Sequence, residues 1–339
     1  MQNKWLIKTT LLSLALCTAP LICGAYETDQ FTNRLEPISD STELLDARVN
    51  LSIENAIADW NGPRNDKKVV NYIYHDIGGH HWVDKIERWV MDSDDIEHLQ
   101  PSRRESIYQG QPFWATRVAA VFGVGPTIKV NGQLIGSDKL GHFLSQGRKF
   151  YRRYMKSLDE SQAAEHSAYT ERALFGQMTT GVYSNADLVA NYEGFLFYLS
   201  LFEDDIVAGK MAILAWQYDH WVIQRSFTWA DHVNEYWDEA LNINHYDRLL
   251  YHHMKDRLMT FCDDYLQAPE MYRIEDEDRF SERYQHLQLR DTSELRLDQL
   301  CMANPNYSAS EVGGQSNLSL PDPTDTPGSA GIGCCQHQR

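Results

Sequence analysis

Apolar residues recur at helical spacing along most of this chain, and this recurrence limits its fold more than any other feature. In residues 43–60, Leu45, Val49 and Ile53 follow one another every four positions, until Asn61-Gly62-Pro63 ends the pattern. Residues four apart share one face of a helix, so this spacing predicts an amphipathic helix. Similar patterns predict helices near 69–73 and 83–90 and over 138–157, 162–180, 185–203, 228–241 and 245–267. The charged stretch 270–300 is predicted to be an exposed helix followed by a connection. We therefore expect a mainly α fold, a helical bundle-like single domain over residues 26–304.

One short segment has the pattern of a β-hairpin. Residues 126–130 and 133–135 are rich in apolar and β-branched side chains, and Asn131-Gly132 separates them. Asn-Gly favours the two-residue turn that joins antiparallel strands. The sequence predicts one small hairpin near residues 127–135, and no other β element.

The two ends of the chain differ in composition from the rest. Lys4 and Lys8 precede an apolar run from Leu11 to Ile22, which is followed by Gly24-Ala25. This order predicts a secretory signal peptide over residues 1–25, and an uncleaved N-terminal anchor is the alternative. Ser, Gly, Pro and Asn prevail from residue 305 to 339, which predicts a disordered tail. We expect an exported protein, located in the periplasm or secreted, with no transmembrane span after signal removal.

The cysteines of the predicted mature chain fit an exported protein. They are Cys262, Cys301, Cys334 and Cys335. An even number of cysteines in an oxidising compartment permits disulfides, and Cys262–Cys301 is the pairing that we expect first. For Cys334-Cys335, free thiols and a disulfide remain alternatives.

The charge balance and the absent motifs exclude several classes of function. The chain has 31 basic and 48 acidic side chains, a formal net charge of −17. This balance disfavours a nucleic-acid partner and adhesion to anionic lipid through charge alone. The sequence also lacks GxSxG, HExxH, P-loop and dinucleotide-binding motifs, which disfavours the enzyme classes that depend on them.

The first candidate site follows the predicted hairpin, in the stretch Gly136-Ser-Asp-Lys-Leu-Gly-His-Phe143. Asp138 and His142 are four residues apart, so a helix places them on one face. A carboxylate and an imidazole in this arrangement can bind a metal ion together or act as an oriented acid/base pair. The alternative is that Asp138 caps the helix and His142 is a hydrogen-bonded core residue.

A second polar stripe lies about forty residues later in the chain, where Asp187, Asn191 and Gly194 have helical spacing. Ser184 and Asp187 have the spacing of a capping box, which is the alternative role for this aspartate. Glycine inside a helix favours a close crossing with another helix. We expect the two stripes to face each other across such a crossing.

These two motifs resemble the VanZ-like proteins and the related YfiM-like periplasmic proteins. The matching order is D-K-x-x-H-F at Asp138, Lys139, His142 and Phe143, followed by a helix with a glutamate, and then D-x-x-x-N-x-x-G at Asp187, Asn191 and Gly194. The resemblance covers residues 136–200, within a helical core of about 136–203, and matches Glu171 to the family's glutamate. It implies a compact helical unit of the cell envelope with an Asp/His/Asp/Asn polar centre.

Other polar and aromatic clusters have competing interpretations. His75-Asp76 and His80-His81 could bind a metal ion or form a solvated turn, and His252 with Asp256 is expected on a solvated or helix-packing face. The aromatic residues between Trp216 and Trp237 could stack on sugars, but rings of this size are more often part of a core.

These predictions are compatible with two functions of different classes. The first is a non-catalytic envelope or binding protein, in which the polar centre fixes helix packing. The second is a hydrolase acting on an envelope lipid or a peptidoglycan fragment, metal-assisted or by acid/base catalysis. Its candidate catalytic residues are His142, Asp138, Glu171, Asp187 and Asn191, and a divalent metal ion would be held by Asp138, His142 and Asp187.

Overall fold

The computed structural model describes residues 27–79, 83–111, 123–175 and 177–303. The predicted signal peptide (1–25) and the predicted tail (305–339) lie outside these ranges. Helices dominate the described chain, which confirms the mainly α prediction, whereas the bundle-like arrangement stays a prediction. The first three described helices are α1 (Thr42–Ala58), α2 (Asp66–Ile77) and α3 (Lys85–Asp92).

The central helices carry two π-helical interruptions. Helix α4 begins as Asp138–Gly141, widens into the π-helical segment His142–Gln146 and continues as Gly147–Ser157. Helix α5 (Glu160–Thr170) runs into a second π-helical segment, Glu171–Phe175, and is followed by α6 (Gln177–Thr180) and α7 (Asn185–Ser200). The later helices are short: α8 (Tyr251–Met259), α9 (Cys262–Gln267), α10 (Glu277–Tyr284) and α11 (Leu297–Met302).

The predicted hairpin is present, and the structure also contains a second hairpin that the sequence did not predict. Strands β3 (Thr127–Val130) and β4 (Gln133–Gly136) pair antiparallel, and Asn131 and Gly132 both have positive φ, 51° and 78°. The second hairpin pairs β6 (Leu214–Gln217) with β7 (His220–Ile223). Its turn uses Tyr218 and Asp219 at φ 49° and 62°, so it lacks the Asn-Gly signature that sequence patterns detect. The expectation of one hairpin was therefore wrong.

The remaining described strands form two-residue pairs that tie distant segments together. β1 (Glu27–Thr28) runs parallel to β2 (Val124–Gly125), and β5 (Val182–Tyr183) runs antiparallel to β8 (His245–Tyr246). Each sheet of the described residues therefore has two strands, and helices provide most of the packing surface.

Two predicted helices are wrong in part or altogether. Residues 228–241 form two 3₁₀ turns, Trp229–Asp231 and Glu235–Trp237, rather than an α-helix. The side chains of Thr228 and Asn234 accept hydrogen bonds from the backbone two residues later, and such local bonds compete with helix formation. The predicted helix 245–267 is divided into β8, α8 and α9.

The apolar core runs from Phe31 to Cys301, and the aromatic residues of 216–237 contribute to it except for the exposed Tyr218. Trp229 and Trp237 are fully buried against Phe143, which supports their assignment to the core. The stretch 270–300 is less exposed than expected, because α10 buries Phe280 and Tyr284. The Cys262–Cys301 disulfide joins α9 to α11. Among the described helices, none combines the length and hydrophobicity that crossing a bilayer requires.

Candidate functional site

The two polar stripes meet where α4 crosses α7. His142 Nε2 lies 3.1 Å from Asp187 Oδ2, and His142 Nδ1 lies 3.0 Å from Asn191 Oδ1. A Cβ atom added to Gly194 would lie 1.9 Å from the carbonyl oxygen of Phe143, so the helices approach this closely only with glycine there. The close crossing brings His142 within reach of both polar residues of α7.

The π-helical segment of α4 begins at His142 itself. Such wide turns inside α-helices occur frequently at functional sites, because they alter the direction of a side chain relative to its neighbours. Directly before this turn, a Cβ on Gly141 would lie 1.8 Å from Glu87 Oε1. Glycine at this position therefore lets a buried carboxylate approach the backbone of α4.

Asn191 orients the imidazole of His142. The Asn191 amide nitrogen donates to Ser167 Oγ at 3.1 Å, so its oxygen faces His142 and accepts from Nδ1–H. The second ring nitrogen, Nε2, then faces the Asp187 carboxylate. At 3.1 Å, a lone pair on Nε2 and a lone pair on Asp187 Oδ2 repel each other. A proton or a metal ion between these two atoms therefore stabilises the arrangement.

Asp138 completes a group of three side chains of the types that bind metal ions. One ligand atom each of Asp138, His142 and Asp187 lies within 4.8 Å of the other two. Asp138 also contacts Lys139 and Thr28, whereas Ser137 makes no side-chain cap at the start of α4. The geometry therefore gives Asp138 contacts beyond those of a helix cap.

Asp187 lies in the first turn of α7, but its carboxylate contacts residues outside that helix. Ser184 caps the helix by accepting from the Asp187 backbone at 3.1 Å. The carboxylate itself points to His142 and to Lys139. Burial alone raises the pKa of Asp187, but the charges of His142 and Lys139 outweigh it and lower the pKa below its usual value. Asp187 is thus held as an anion inside the protein.

Lys139 is the central cation, a role that the sequence analysis did not assign. Its side chain is 1% exposed. Three carboxylate oxygens surround its Nζ: Asp138 Oδ2 at 2.8 Å, Asp187 Oδ1 at 2.6 Å and Glu239 Oε1 at 2.7 Å. Burial lowers the pKa of a lysine, but these three carboxylates raise that of Lys139 well above its usual value. Glu239 was also missed, because it comes from the irregular segment after Glu235–Trp237 rather than from a patterned helix.

Further buried carboxyl groups lie around this centre. Burial and the charges of Glu239 and Asp187 raise the pKa of Glu27 to about 8. Burial raises the pKa of Asp84 to about 6, and that of Glu87 well above its usual range. These carboxyl groups therefore hold their protons more readily than exposed ones, and a further positive charge close to them would favour their ionised forms.

Glu171 lies at the edge of the centre and not among its metal-ligating atoms. It starts the second π-helical segment, and its Oε1 accepts a hydrogen bond from the Ser184 backbone at 3.3 Å. Burial and the nearby charge of Asp187 raise its pKa well above the usual value. Its contacts fit a role in holding the N-terminus of α7.

The sequence offered two other histidine clusters, and Asp76 of the first pairs with Arg48 at 3.5 Å. His80 and His81 lie outside the described residues. His252 and Asp256 are exposed on α8, in keeping with the solvated face expected for them.

Comparisons of the chain with protein-family models, curated proteins and solved structures found no match. The resemblance to VanZ-like and YfiM-like proteins therefore stays a prediction.

Proposed function

We propose that this chain is an exported binding protein of the cell envelope whose polar centre holds a divalent metal ion through Asp138, His142 and Asp187. The 3.1 Å separation of His142 Nε2 and Asp187 Oδ2 carries the proposal. Metal–ligand bonds of about 2.0–2.2 Å place neighbouring ligand atoms roughly 3 Å apart. These two atoms already have that spacing, and Asp138 supplies a third ligand atom nearby.

The chemistry of the ligands indicates the kind of ion. One imidazole nitrogen and two carboxylate oxygens suit divalent transition metals such as Zn²⁺ or Mn²⁺ better than Ca²⁺, which prefers an all-oxygen shell. Metal-binding histidines usually donate their other N–H to an oxygen that fixes the ring. Asn191 Oδ1 is placed to accept that bond from His142 Nδ1.

The predicted compartment has independent support. The Cys262–Cys301 disulfide is of the kind that persists in the periplasm or outside the cell and is rare in the cytosol. An envelope component, lipid or peptidoglycan, remains the proposed partner, and nucleic acid remains disfavoured by the net charge of −17.

A second candidate function is metal-assisted hydrolysis of an envelope lipid or peptidoglycan fragment. The side chains of His142, Asp138 and Asp187 are 18%, 14% and 11% exposed, so the centre is not completely closed to solvent. Asp138, His142 and Asp187 would hold the metal ion and leave a coordination position for water, and the ion would lower the pKa of that water. Asn191 would then orient His142 through Nδ1, and Glu171 would hold the start of α7.

Metal titration of the purified protein tests the proposed centre. After removal of metal with a chelator, we expect one equivalent of Zn²⁺ or Mn²⁺ to bind, measured by calorimetry and elemental analysis. His142→Ala and Asp187→Asn should abolish stoichiometric binding, and Asn191→Ala should weaken it about 10–100-fold. The matched controls are His252→Ala and Asp256→Asn, a His/Asp pair of the same i, i+4 spacing on the exposed face of α8.

Three outcomes decide between the candidate functions. A folded wild-type protein that binds no metal, together with strong destabilisation by His142→Ala, would contradict the metal centre and indicate a purely structural network. Stoichiometric metal without hydrolysis of lipid or peptidoglycan fragments would support the binding role. Metal-dependent hydrolysis that His142→Ala removes would support the enzyme.

A further inference from the structure

One face of α4 is strongly basic, in a chain whose net charge is −17. Lys149, Arg152, Arg153 and Lys156 follow the i, i+3, i+4, i+7 spacing of a single helical face. They line a cleft of about 640 Å³. A cleft of this volume is large enough for a small organic ligand.

The opposite wall of the cleft comes from α5 and is mostly uncharged. Gln162, Glu165, His166 and Tyr169 have the same helical spacing and face the basic residues. The two helices are joined by Leu158, in the left-handed region at φ 55°, and by the helix cap Asp159. The cleft therefore has four cations and one carboxylate, with hydrogen-bonding groups on its second wall.

Three of the four cations of the cleft are poorly neutralised. Within the described part of the chain, no carboxylate forms an ion pair with Arg152, Arg153 or Lys156. Burial lowers the pKa of His166, and the nearby charges of Arg153 and Lys149 lower it further. The cleft thus has a positive potential that an anion would neutralise.

We infer that the cleft between α4 and α5 binds a phosphate-bearing ligand. Guanidinium groups match phosphate oxygens in a bidentate geometry, and Arg152 and Arg153 are adjacent on the wall. Lys149 and Lys156 extend the positive face on either side, which suits a group with more than one negative charge. Gln162, His166 and Tyr169 are placed to donate hydrogen bonds from the other wall.

This site does not depend on the proposed metal centre, although the two are neighbours. Ser167, which accepts the hydrogen bond of Asn191, follows the cleft residue His166 in α5. Ligand binding can therefore be measured on metal-free protein and on His142→Ala protein. If the phosphate ligand binds to both of these proteins while neither holds a metal ion, the proposed metal centre can fail without affecting the proposed phosphate site.

Calorimetry with inorganic pyrophosphate and flotation with vesicles distinguish the two sources of phosphate. The vesicles contain phosphatidylcholine with or without phosphatidic acid. Arg152→Gln/Arg153→Gln should weaken binding at least about tenfold, since it removes two charged hydrogen-bonding groups. The control Lys67→Gln/Arg248→Gln removes the same charge at exposed positions outside the cleft and should leave binding unchanged.

Each result either supports or overturns the inference. Pyrophosphate binding that the double cleft variant loses supports a soluble phosphate ligand, and binding restricted to phosphatidic acid vesicles supports a lipid-borne phosphate. Failure of both probes to bind overturns it. Equal binding of sulfate and citrate, or equal loss in the Lys67→Gln/Arg248→Gln control, also overturns it, because either indicates a non-specific response to charge.

Discussion

Gly147 of α4 and Gly194 of α7 are in backbone contact, since a Cβ on Gly147 would lie 2.6 Å from the Cα of Gly194. Side chains on either helix would hold the axes farther apart. His142 precedes this contact by about one turn, and Asn191 precedes it on α7, so the same crossing positions the imidazole against its partners. The packing of two glycines thus determines the geometry of the polar centre.

Gly194→Ala should therefore disturb both stability and the site. Alanine has the higher helix propensity, but its methyl group would meet the Phe143 carbonyl oxygen, a backbone atom that cannot rotate away. We expect the free energy of unfolding to fall by about 1–3 kcal/mol, measured by urea denaturation, and metal affinity to fall with it. Ser161→Ala, at an exposed position of α5, is the control. An unchanged or more stable Gly194→Ala protein would show that the helices separate easily.

Lys139→Met should be the more severe substitution, although methionine has a similar length. It leaves the carboxylates of Asp138, Asp187 and Glu239 without their buried cation. Removing one partner of a buried ionic network costs about 3–5 kcal/mol, which we expect as the loss in unfolding free energy at neutral pH. The comparison is Lys67→Met on the exposed face of α2. A loss below about 0.5 kcal/mol, typical of surface substitutions, would contradict the central role of Lys139.

A second buried ionic group, away from the proposed metal ligands, predicts how stability depends on pH. Glu193 is fully buried and bonds to His232, Arg283 and Tyr284. Burial alone raises its pKa, but His232 and Arg283 outweigh this and lower the pKa below 4.5. A lowered pKa stabilises the folded state fully above the unfolded value, and this contribution is lost as the pH falls through the folded pKa.

Glu193→Gln should therefore destabilise the protein at neutral pH, and the difference from wild type should shrink on acidification below about pH 4.5. Thermal melts at a series of pH values measure this difference. Glu54→Gln, an exposed glutamate of α1, should track the wild type throughout. A destabilisation by Glu193→Gln that is independent of pH would argue that the side chain acts through packing alone.

Local sequence patterns predicted several features of the fold correctly. The apolar spacing of residues 43–60 corresponds to α1, and Asn131-Gly132 forms the expected turn. These features depend on neighbours a few residues apart, whose helical or turn preferences act locally. Residues 228–241 show where this fails, because side-chain caps at Thr228 and Asn234 and the burial of Trp229 and Trp237 outweigh helical spacing.

The sequence by itself determined which polar residues share a helical face, such as Asp138 with His142 and Asp187 with Asn191. The sequence also predicted that these two faces meet at a close helix crossing, whereas only the tertiary structure added Lys139 and Glu239 to the centre. The basic cleft shows the same limit, since a net charge of −17 averages over the chain and conceals a local positive surface. The physical reason is that spacing fixes direction along one helix, whereas contact between distant residues depends on the packing of backbones such as Gly147 against Gly194.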